Sequence, residues 1–178
     1  MPEQLDRILA QWRAEKPHLD VSPMAVIGRL GRASAAVDAR LGATFAEHDM
    51  DASTFDVLAT LLRSGPPYSL APGALSQDAM ISSSAVAQRL NKLETRGLLT
   101  RAANPDDGRG TLVTLTAAGH TLIEASLPDH LATEHAIMGS LTKSEQAQLA
   151  ALLQLLEEGA CSTTQRGVSE RAPQHNVE

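Results

Sequence analysis

Residues 71–116 constrain the fold of this chain more than any other segment, because they carry start and stop signals for two short helices and a β-hairpin. Pro72 predicts the start of the first helix, over 73–80, since the N–H group that proline lacks has no partner in the first turn of a helix. Ser82 can cap a second helix with its hydroxyl group. The segment is therefore predicted to begin as a helix, a turn and a second helix.

The second predicted helix, Ser83–Arg96, has two unlike faces. Val86, Leu90 and Leu93 recur at the spacing of one helix face and form an apolar stripe. Gly97 then ends the helix. At about 100° per residue, three uncharged polar side chains cluster on the opposite side, namely Ser84, Gln88 and Asn91. We expect the apolar face to be buried and the polar face to be available for contacts.

A β-hairpin is predicted directly after this helix. Residues 98–102 form its first strand, and residues 111–116 alternate as its second strand. Between them, the segment 104–108 is rich in Asn, Pro, Asp and Gly, which is typical of a turn. The tip of the hairpin holds Arg109, and Asp107 can pair with this arginine and fix its direction.

The helix and the hairpin together have the chemistry of a DNA-reading surface. Serine, glutamine and asparagine side chains can bond to base edges in a major groove, while Lys92 and Arg96 flank them and can reach phosphates. Arg109 is positioned to enter a minor groove. A solvated surface helix is the alternative for the helix taken alone, and the hairpin favours DNA contact. The predicted DNA-binding residues are Ser82, Ser83, Ser84, Gln88, Asn91, Lys92, Arg96 and Arg109.

The same residues resemble the motifs of a known family. The run RAANPDDGR (101–109), followed by LTAAG (115–119), is similar to the wing signature of the MarR family of bacterial winged-helix regulators. The run LNKLETRGLL (90–99) is similar to the end of that family's recognition helix. The resemblance covers about residues 23–157 and implies a mainly α fold with a small β-wing, a winged helix-turn-helix. One departure is Gly108, which stands where the family usually has a second wing arginine.

The charge distribution is compatible with this interpretation. The net charge of the chain is −6, but residues 81–113 hold five basic and three acidic groups, so this segment is +2 and the remainder is −8. Phosphate neutralisation supplies much of the affinity for DNA, so a basic reading edge on an acidic body fits specific, salt-sensitive binding. The hydrophobic content of 43% includes only four aromatic residues, and such a core suits helices.

The rest of the chain is predicted to be mostly helical. Ser22–Pro23 is expected to cap a long helix, Asp51 the first helix of the DNA-binding lobe, and a capping box over 142–145 the last helix. The predicted organisation is an extra amino-terminal helix (1–22), a long dimerisation helix (23–50), the DNA-binding lobe (51–116), carboxyl-terminal dimerisation helices (117–158) and a disordered tail (159–178).

The terminal helices predict a homodimer. The leucines of the last helix exceed what a single DNA-reading lobe can bury, so a symmetric partner is expected to cover Leu149, Leu152, Leu153 and Leu156. The resemblance implies the same arrangement, with interleaved amino- and carboxyl-terminal helices. It also implies that two recognition helices enter successive major grooves of a near-palindromic operator in double-stranded DNA.

Several residues fit their local pattern poorly and point to an effector. Arg89 lies about 60° from Val86, at the edge of the buried face, so it should be paired. Asp56, in an otherwise apolar helix, is one candidate partner. The resemblance extends here to the urate-responsive branch of the family, similar to HucR, PecS and TamR. It implies a ligand-binding set made of Trp12, Asp56, Arg89 and Arg101.

The implied mechanism is release from DNA. Urate or a similar planar anion would bind Arg89 and Arg101 over Trp12, disturb Asp56 and shift the recognition helix, so that a repressor leaves its operator. Two alternatives stay open for the ligand, a citrate- or aconitate-type anion and no effector at all. In the second case the chain would be a constitutive architectural or partner-binding protein, and the four residues would be structural.

Other function classes find little support in the sequence. We expect neither a metal site nor a cofactor, because the histidines are scattered and no phosphate-binding glycine loop is present. No nucleophile, base and orienting group form a set, so an enzyme is not expected. Cys161 is the only cysteine, which excludes an intrachain disulfide. No apolar run approaches the length of a membrane span, and a cytoplasmic location is expected.

Overall fold

The computed structural model describes residues 3–79, 83–105 and 110–169, without the side chains of 3, 83–85 and 162–169. The chain forms two compact units, residues 1–134 and 135–178. The helices are α1 (Glu3–Glu15), α2 (Ser22–Glu47), α3 (Ala52–Arg63), α4 (Pro72–Asp78), α5 (Ser83–Thr95), α6 (Ala117–Met138) and α7 (Lys143–Ser169). The strands are β1 (Ser69–Leu70), β2 (Leu99–Ala103) and β3 (Thr111–Leu115).

The described parts of the segment 71–116 fold as their sequence predicts, while the expected Ser82 cap and the turn residues 106–109 lie outside the described ranges. Helices α4 and α5 follow each other, and β2 and β3 then pair antiparallel, with Arg101 opposite Val113. The sequence did not predict β1, which adds a third strand on the other side of β3. Two residues are too few to show the alternation by which strands are recognised.

The apolar stripe of α5 faces the core of this lobe. Val86, Leu90 and Leu93 are all buried, in the same cluster as Leu58 of α3 and Leu75 of α4. The burial of aliphatic side chains from three helices and the sheet is the main stabilising contribution here, at about 25 cal/mol per Å² of apolar surface. The packed core fixes which face of α5 is left outside.

The helix ends confirm most of the predicted stop and start signals. The Asp51 side chain accepts a hydrogen bond from the Thr54 amide at 2.8 Å and caps α3. Gly97 adopts a φ of 70°, the left-handed conformation that glycine tolerates best. At the start of α7, the Glu145 carboxylate accepts from the Thr142 amide at 2.7 Å and the Thr142 hydroxyl group accepts from the Glu145 amide at 3.3 Å, which completes the expected capping box.

Two predicted boundaries are wrong. Ser22 does not cap α2 but is its first residue, and its amide donates to Asp20 Oδ1 at 2.9 Å. Helix α7 continues to Ser169, beyond the predicted end near Glu158, so the expected disordered tail does not begin at Gly159. This glycine has no positive φ, and a single glycine costs a helix only about 1 kcal/mol. Residues 170–178 lie outside the described ranges.

The amino-terminal helix packs on α2 within the first unit. Leu9 is buried, and Asp6 Oδ1 pairs with Arg29 Nη2 at 2.7 Å. A Cβ atom on Gly28 would lie 2.9 Å from a methyl group of Leu5, so the glycine allows α1 to approach closely. The extra helix is therefore attached to the long helix.

Several large apolar side chains are exposed in the single chain. In the first unit they include Trp12, Met24, Val26, Ile27 and Leu30, and in the second unit Leu149, Leu152, Leu153, Leu155 and Leu156. Patches of this kind mark interaction surfaces in soluble proteins. Within the described residues, no helix combines the length and the apolar character that crossing a membrane requires.

Candidate functional site

The outward face of α5 carries the predicted DNA-reading side chains. Gln88 and Asn91 are exposed on the side away from the buried stripe, and Lys92 and Arg96, which directly follows α5, are exposed beside them. Ser83 and Ser84 begin the helix, without described side chains. Three further predicted residues lie outside the described ranges, namely Ser82, Asp107 and Arg109. The geometry leaves a polar, basic helix face open to a partner.

Arg89 points back into the lobe, as its position on the helix predicts. Its side chain is only 20% exposed, and its Nη1 lies 2.8 Å from Asp51 Oδ2. Its Nη2 also donates a hydrogen bond to the Ser53 hydroxyl group. The structure thus pairs Arg89 with Asp51 rather than with Asp56, the candidate that the sequence offered. The α3 amino terminus, where both partners sit, faces this turn of α5.

Asp51 serves α3 and α5 at the same time. Its Oδ1 accepts from the Thr54 amide at 2.8 Å and from the Ser53 hydroxyl group at 3.1 Å. Its Oδ2 receives Arg89 and lies 4.0 Å from Lys92 Nζ. Partial burial raises the pKa of Asp51, but the hydrogen bonds from Thr54 and Ser53 and the Arg89 charge outweigh it, so the pKa lies below its ordinary value. The carboxylate is therefore charged at neutral pH.

A second ion pair joins α5 to the hairpin. Arg101 of β2 donates from Nε to Glu94 Oε2 at 2.9 Å, and its Nη2 bonds to the same oxygen. This hydrogen bonding lowers the pKa of Glu94 and raises the pKa of Arg101. Glu94 and Arg89 are five residues apart on α5, about 140° around the helix. Helix α5 is thus held by ion pairs on two different flanks.

A groove of about 320 Å³ opens between α4, α5 and the hairpin. Apolar side chains form most of its wall, and Arg101 supplies the charge. Its lining residues are Pro72, Ser76, Val86, Ala87, Leu90, Asn91, Arg101 and Thr111. An apolar cleft with one guanidinium and a few polar groups can hold a flat anion.

The four predicted ligand residues lie on four different elements. Trp12 is on α1 and 41% exposed, and Asp56 is half-buried on α3. Arg89 and Arg101 have different acidic partners, Asp51 and Glu94. The two arginines therefore do not share a counter-ion in this state of the chain.

The sequence reasoning missed the roles of Asp51 and Glu94. Asp51 was recognised only as a helix cap, although one carboxylate has two oxygens and can serve two partners. Glu94 precedes Arg101 by seven residues across a glycine turn, a spacing that brings the end of a helix beside the following strand. That spacing was the available signal for the second pair.

Comparison with known proteins identifies the fold and the DNA-binding role. A model of the MarR family matches residues 48–110. The chain is also 38% identical over 154 residues to the HTH-type transcriptional regulator PecS of Dickeya dadantii (strain 3937), covering 86% of this chain and 93% of PecS. The chain belongs to the MarR family. Proteins of this family are transcriptional regulators that bind DNA and are not enzymes, and dimers are typical of them.

Two solved MarR-family structures show the same architecture. A mutant of MarR from E. coli, complexed with operator DNA, has a TM-score of 0.68 and 26% identity, over 78% of this chain and 99% of that chain. BpsR from Bordetella bronchiseptica has the same TM-score and identity, over 74% and 92%. That structure concerns the regulation of BpsR DNA binding by 6-hydroxynicotinic acid. In this chain, α5 corresponds to the family's recognition helix and the β2–β3 hairpin corresponds to its wing.

Proposed function

We propose that this MarR-family regulator is a repressor that a small planar anion, most simply urate, releases from its operator. The observation that carries the proposal is the state of Arg89. It is a largely buried guanidinium on the recognition helix, and its charge is balanced by groups on a neighbouring helix. An anion that competes for this guanidinium would act directly on the helix that reads DNA.

The energetics of such a switch are modest. A ligand shifts the protein only by its difference in affinity between the DNA-binding conformation and the released one. Each tenfold weakening of DNA binding requires about 1.4 kcal/mol of that difference. One charge-assisted hydrogen bond contributes about that amount, so exchange of the partner of Arg89 is sufficient for a measurable response.

The choice of a planar anion rests on chemistry and on relatives. A purine anion needs an aromatic face, cations for its charge and polar groups for its ring edges, and Trp12, Arg89, Arg101 and Asp56 supply these. The relative BpsR is regulated by 6-hydroxynicotinic acid, which is also flat and anionic.

Two alternatives keep the DNA-binding dimer and change the effector. A tricarboxylate such as citrate or aconitate could use the same arginines without stacking on Trp12. It could also occupy the groove beside Arg101, where the charge lies next to apolar walls. A regulator without any effector is the second alternative, in which both arginines only hold α5.

The test is a titration of the protein on DNA from upstream of its own gene, with urate, citrate and 6-hydroxynicotinate added separately at one stated salt concentration. The proposal expects urate to release the complex. A complex that ignores urate and responds to citrate would favour the tricarboxylate alternative, and indifference to all three anions would favour no effector. A reporter driven by the same upstream DNA should rise on addition of urate if the protein represses.

Trp12 gives the sharper variant, because it lies away from the reading face of α5. Trp12→Ala should bind the operator as the wild type does and require about fivefold more urate for release, since one aromatic stacking contact contributes about 1 kcal/mol. Ile8→Ala is a matched control on the same helix, with 38% exposure against 41% for Trp12. Equal urate responses of the two variants would show that Trp12 does not contribute to urate binding.

A further inference from the structure

The corner between α2 and α3 carries a carboxylate whose position is unusual for a DNA-binding protein. The Asp51 side chain is 47% exposed, and its Oδ2 lies 4.0 Å from Nζ of Lys92. Lys92 is on α5, the helix whose outer face reads DNA. Lys92 is one of the side chains expected to reach phosphates. A negative charge in this place weakens the attraction between the lobe and the DNA backbone. Electrostatics alone therefore gives no reason for an acid at this position.

The geometry of Asp51 gives a different reason. One oxygen is used within α3, where it bonds to the Thr54 amide and the Ser53 hydroxyl group. The other oxygen points to α5 and holds Arg89 at 2.8 Å. The same side chain thus fixes the start of α3 and the orientation of α5 relative to it.

Arg89 makes this link directional. Its planar guanidinium contacts Asp51 with one terminal nitrogen and the Ser53 hydroxyl group with the other, so two bonds define its plane. Lys92 lies three residues further along α5, on the same flank. The opposite flank is held by Glu94 and Arg101. Loss of the Asp51 link would leave α5 held by that pair, by the hydrogen bond from Arg89 to Ser53 and by its apolar stripe.

We propose that Asp51 is a positioning residue for DNA recognition: by holding Arg89 it sets the angle at which α5 presents its base-reading face. It touches no DNA itself. The inference uses only the established DNA-binding role of the family, and it stands whether or not an effector exists. Its consequence is a loss of operator discrimination when the charge of Asp51 is removed.

The sign of the effect separates this proposal from simple electrostatics. Asparagine caps helices about as well as aspartate, so Asp51→Asn keeps the start of α3 and removes the charge that holds Arg89. If Asp51 only repels phosphates, the variant binds every duplex more tightly and discriminates as before. If Asp51 positions α5, the variant binds the operator more weakly, while binding to unrelated DNA stays equal or becomes tighter.

The experiment uses the full-length protein and two duplexes. One is the sequence that the wild-type protein enriches from a random library, and the other is the same duplex with both half-sites scrambled. We expect Asp51→Asn to lower the ratio of the two affinities about tenfold, the effect of losing one well-placed base contact. Binding to the scrambled duplex should change about twofold or less, since one charge is involved. An unchanged ratio would overturn the proposal.

A double-mutant cycle with Arg89→Gln identifies the route. Each single variant should lower the affinity ratio, and the second change should add nothing once the first is present, because both break the same link. Independent, additive losses would contradict a positioning role through Arg89. Arg89→Gln leaves the cap of α3 intact, so it answers the question even if Asp51→Asn loses stability.

Two further variants complete the design. Asp20→Asn is the charge-matched control, because Asp20 also accepts a hydrogen bond at a helix start, from the Ser22 amide at 2.9 Å. It should leave the affinity ratio unchanged. Asp51→Glu keeps the charge and weakens the cap, and it should retain more discrimination than Asp51→Asn. The reverse order would show that the cap, and not the ion pair, is responsible.

Discussion

At the scale of single residues, ion pairs hold α5 to its neighbours in the lobe. The position of Arg89 at the edge of the apolar stripe could be predicted from helix geometry alone, and the structure confirms that it is largely buried and paired. Its partner could not be predicted. Asp51 and Asp56 both lie on or beside α3, and the choice between them depends on how α3 packs against α5, which local sequence does not determine.

The acid stability of the protein should report the Asp51 link. Its pKa is lower in the folded chain than in the unfolded chain, so the link contributes fully above the unfolded pKa and is lost as the pH falls through the folded one. Because the side chain is 47% exposed, we expect at most about 1 kcal/mol. The wild type should unfold at a higher urea concentration than Asp51→Asn at pH 7, and the gap should narrow as the pH falls below the ordinary aspartate pKa of about 4. A gap that stays constant on acidification would contradict this origin.

At the scale of elements, the junction between α5, the hairpin and α6 is held by hydrogen bonds between the Thr116 side chain and backbone groups. The Thr116 hydroxyl group donates to the Gly97 carbonyl at 2.7 Å and accepts from the Gly119 amide at 3.0 Å. The stop after α5 and the start of α6 are thus joined through one side chain. The sequence predicted both helix ends from glycine and the hairpin, but the contact between them is tertiary and has no local signal.

Gly119→Ala should test this junction. A Cβ atom at position 119 would lie 2.0 Å from the Leu98 carbonyl oxygen and 2.9 Å from its carbon, and backbone atoms cannot move aside as a side chain can. We expect a loss of about 1–3 kcal/mol in the free energy of unfolding, measured by urea denaturation. Gly73→Ala is the control, because nothing lies within 4 Å of its added Cβ atom. Equal stability of the two variants would show that α6 can shift.

At the scale of the whole molecule, the basic segment and the exposed apolar side chains lie in different parts of the chain. The segment 81–113 is +2 and the remainder of the chain is −8, so attraction to DNA is concentrated at the reading edge. The exposed large apolar side chains lie outside that segment, and dimers are typical of the family. The winged lobe and the exposed leucines of α7 could both be predicted from the sequence, because the apolar periodicity, the helix-capping residues and the turn residues of these segments agree with one another. The ligand set was not derivable from pattern and rests on resemblance.

The central claim is that anion binding and operator binding oppose each other in one protein, and calorimetry of urate binding tests it most directly. Linkage requires that urate and DNA weaken each other by the same factor. The affinity of urate should therefore be lower for the operator-bound protein than for the free protein, by the factor with which urate weakens operator binding. Equal urate affinity in the two states would contradict the account, because a ligand without differential affinity cannot release the protein from DNA.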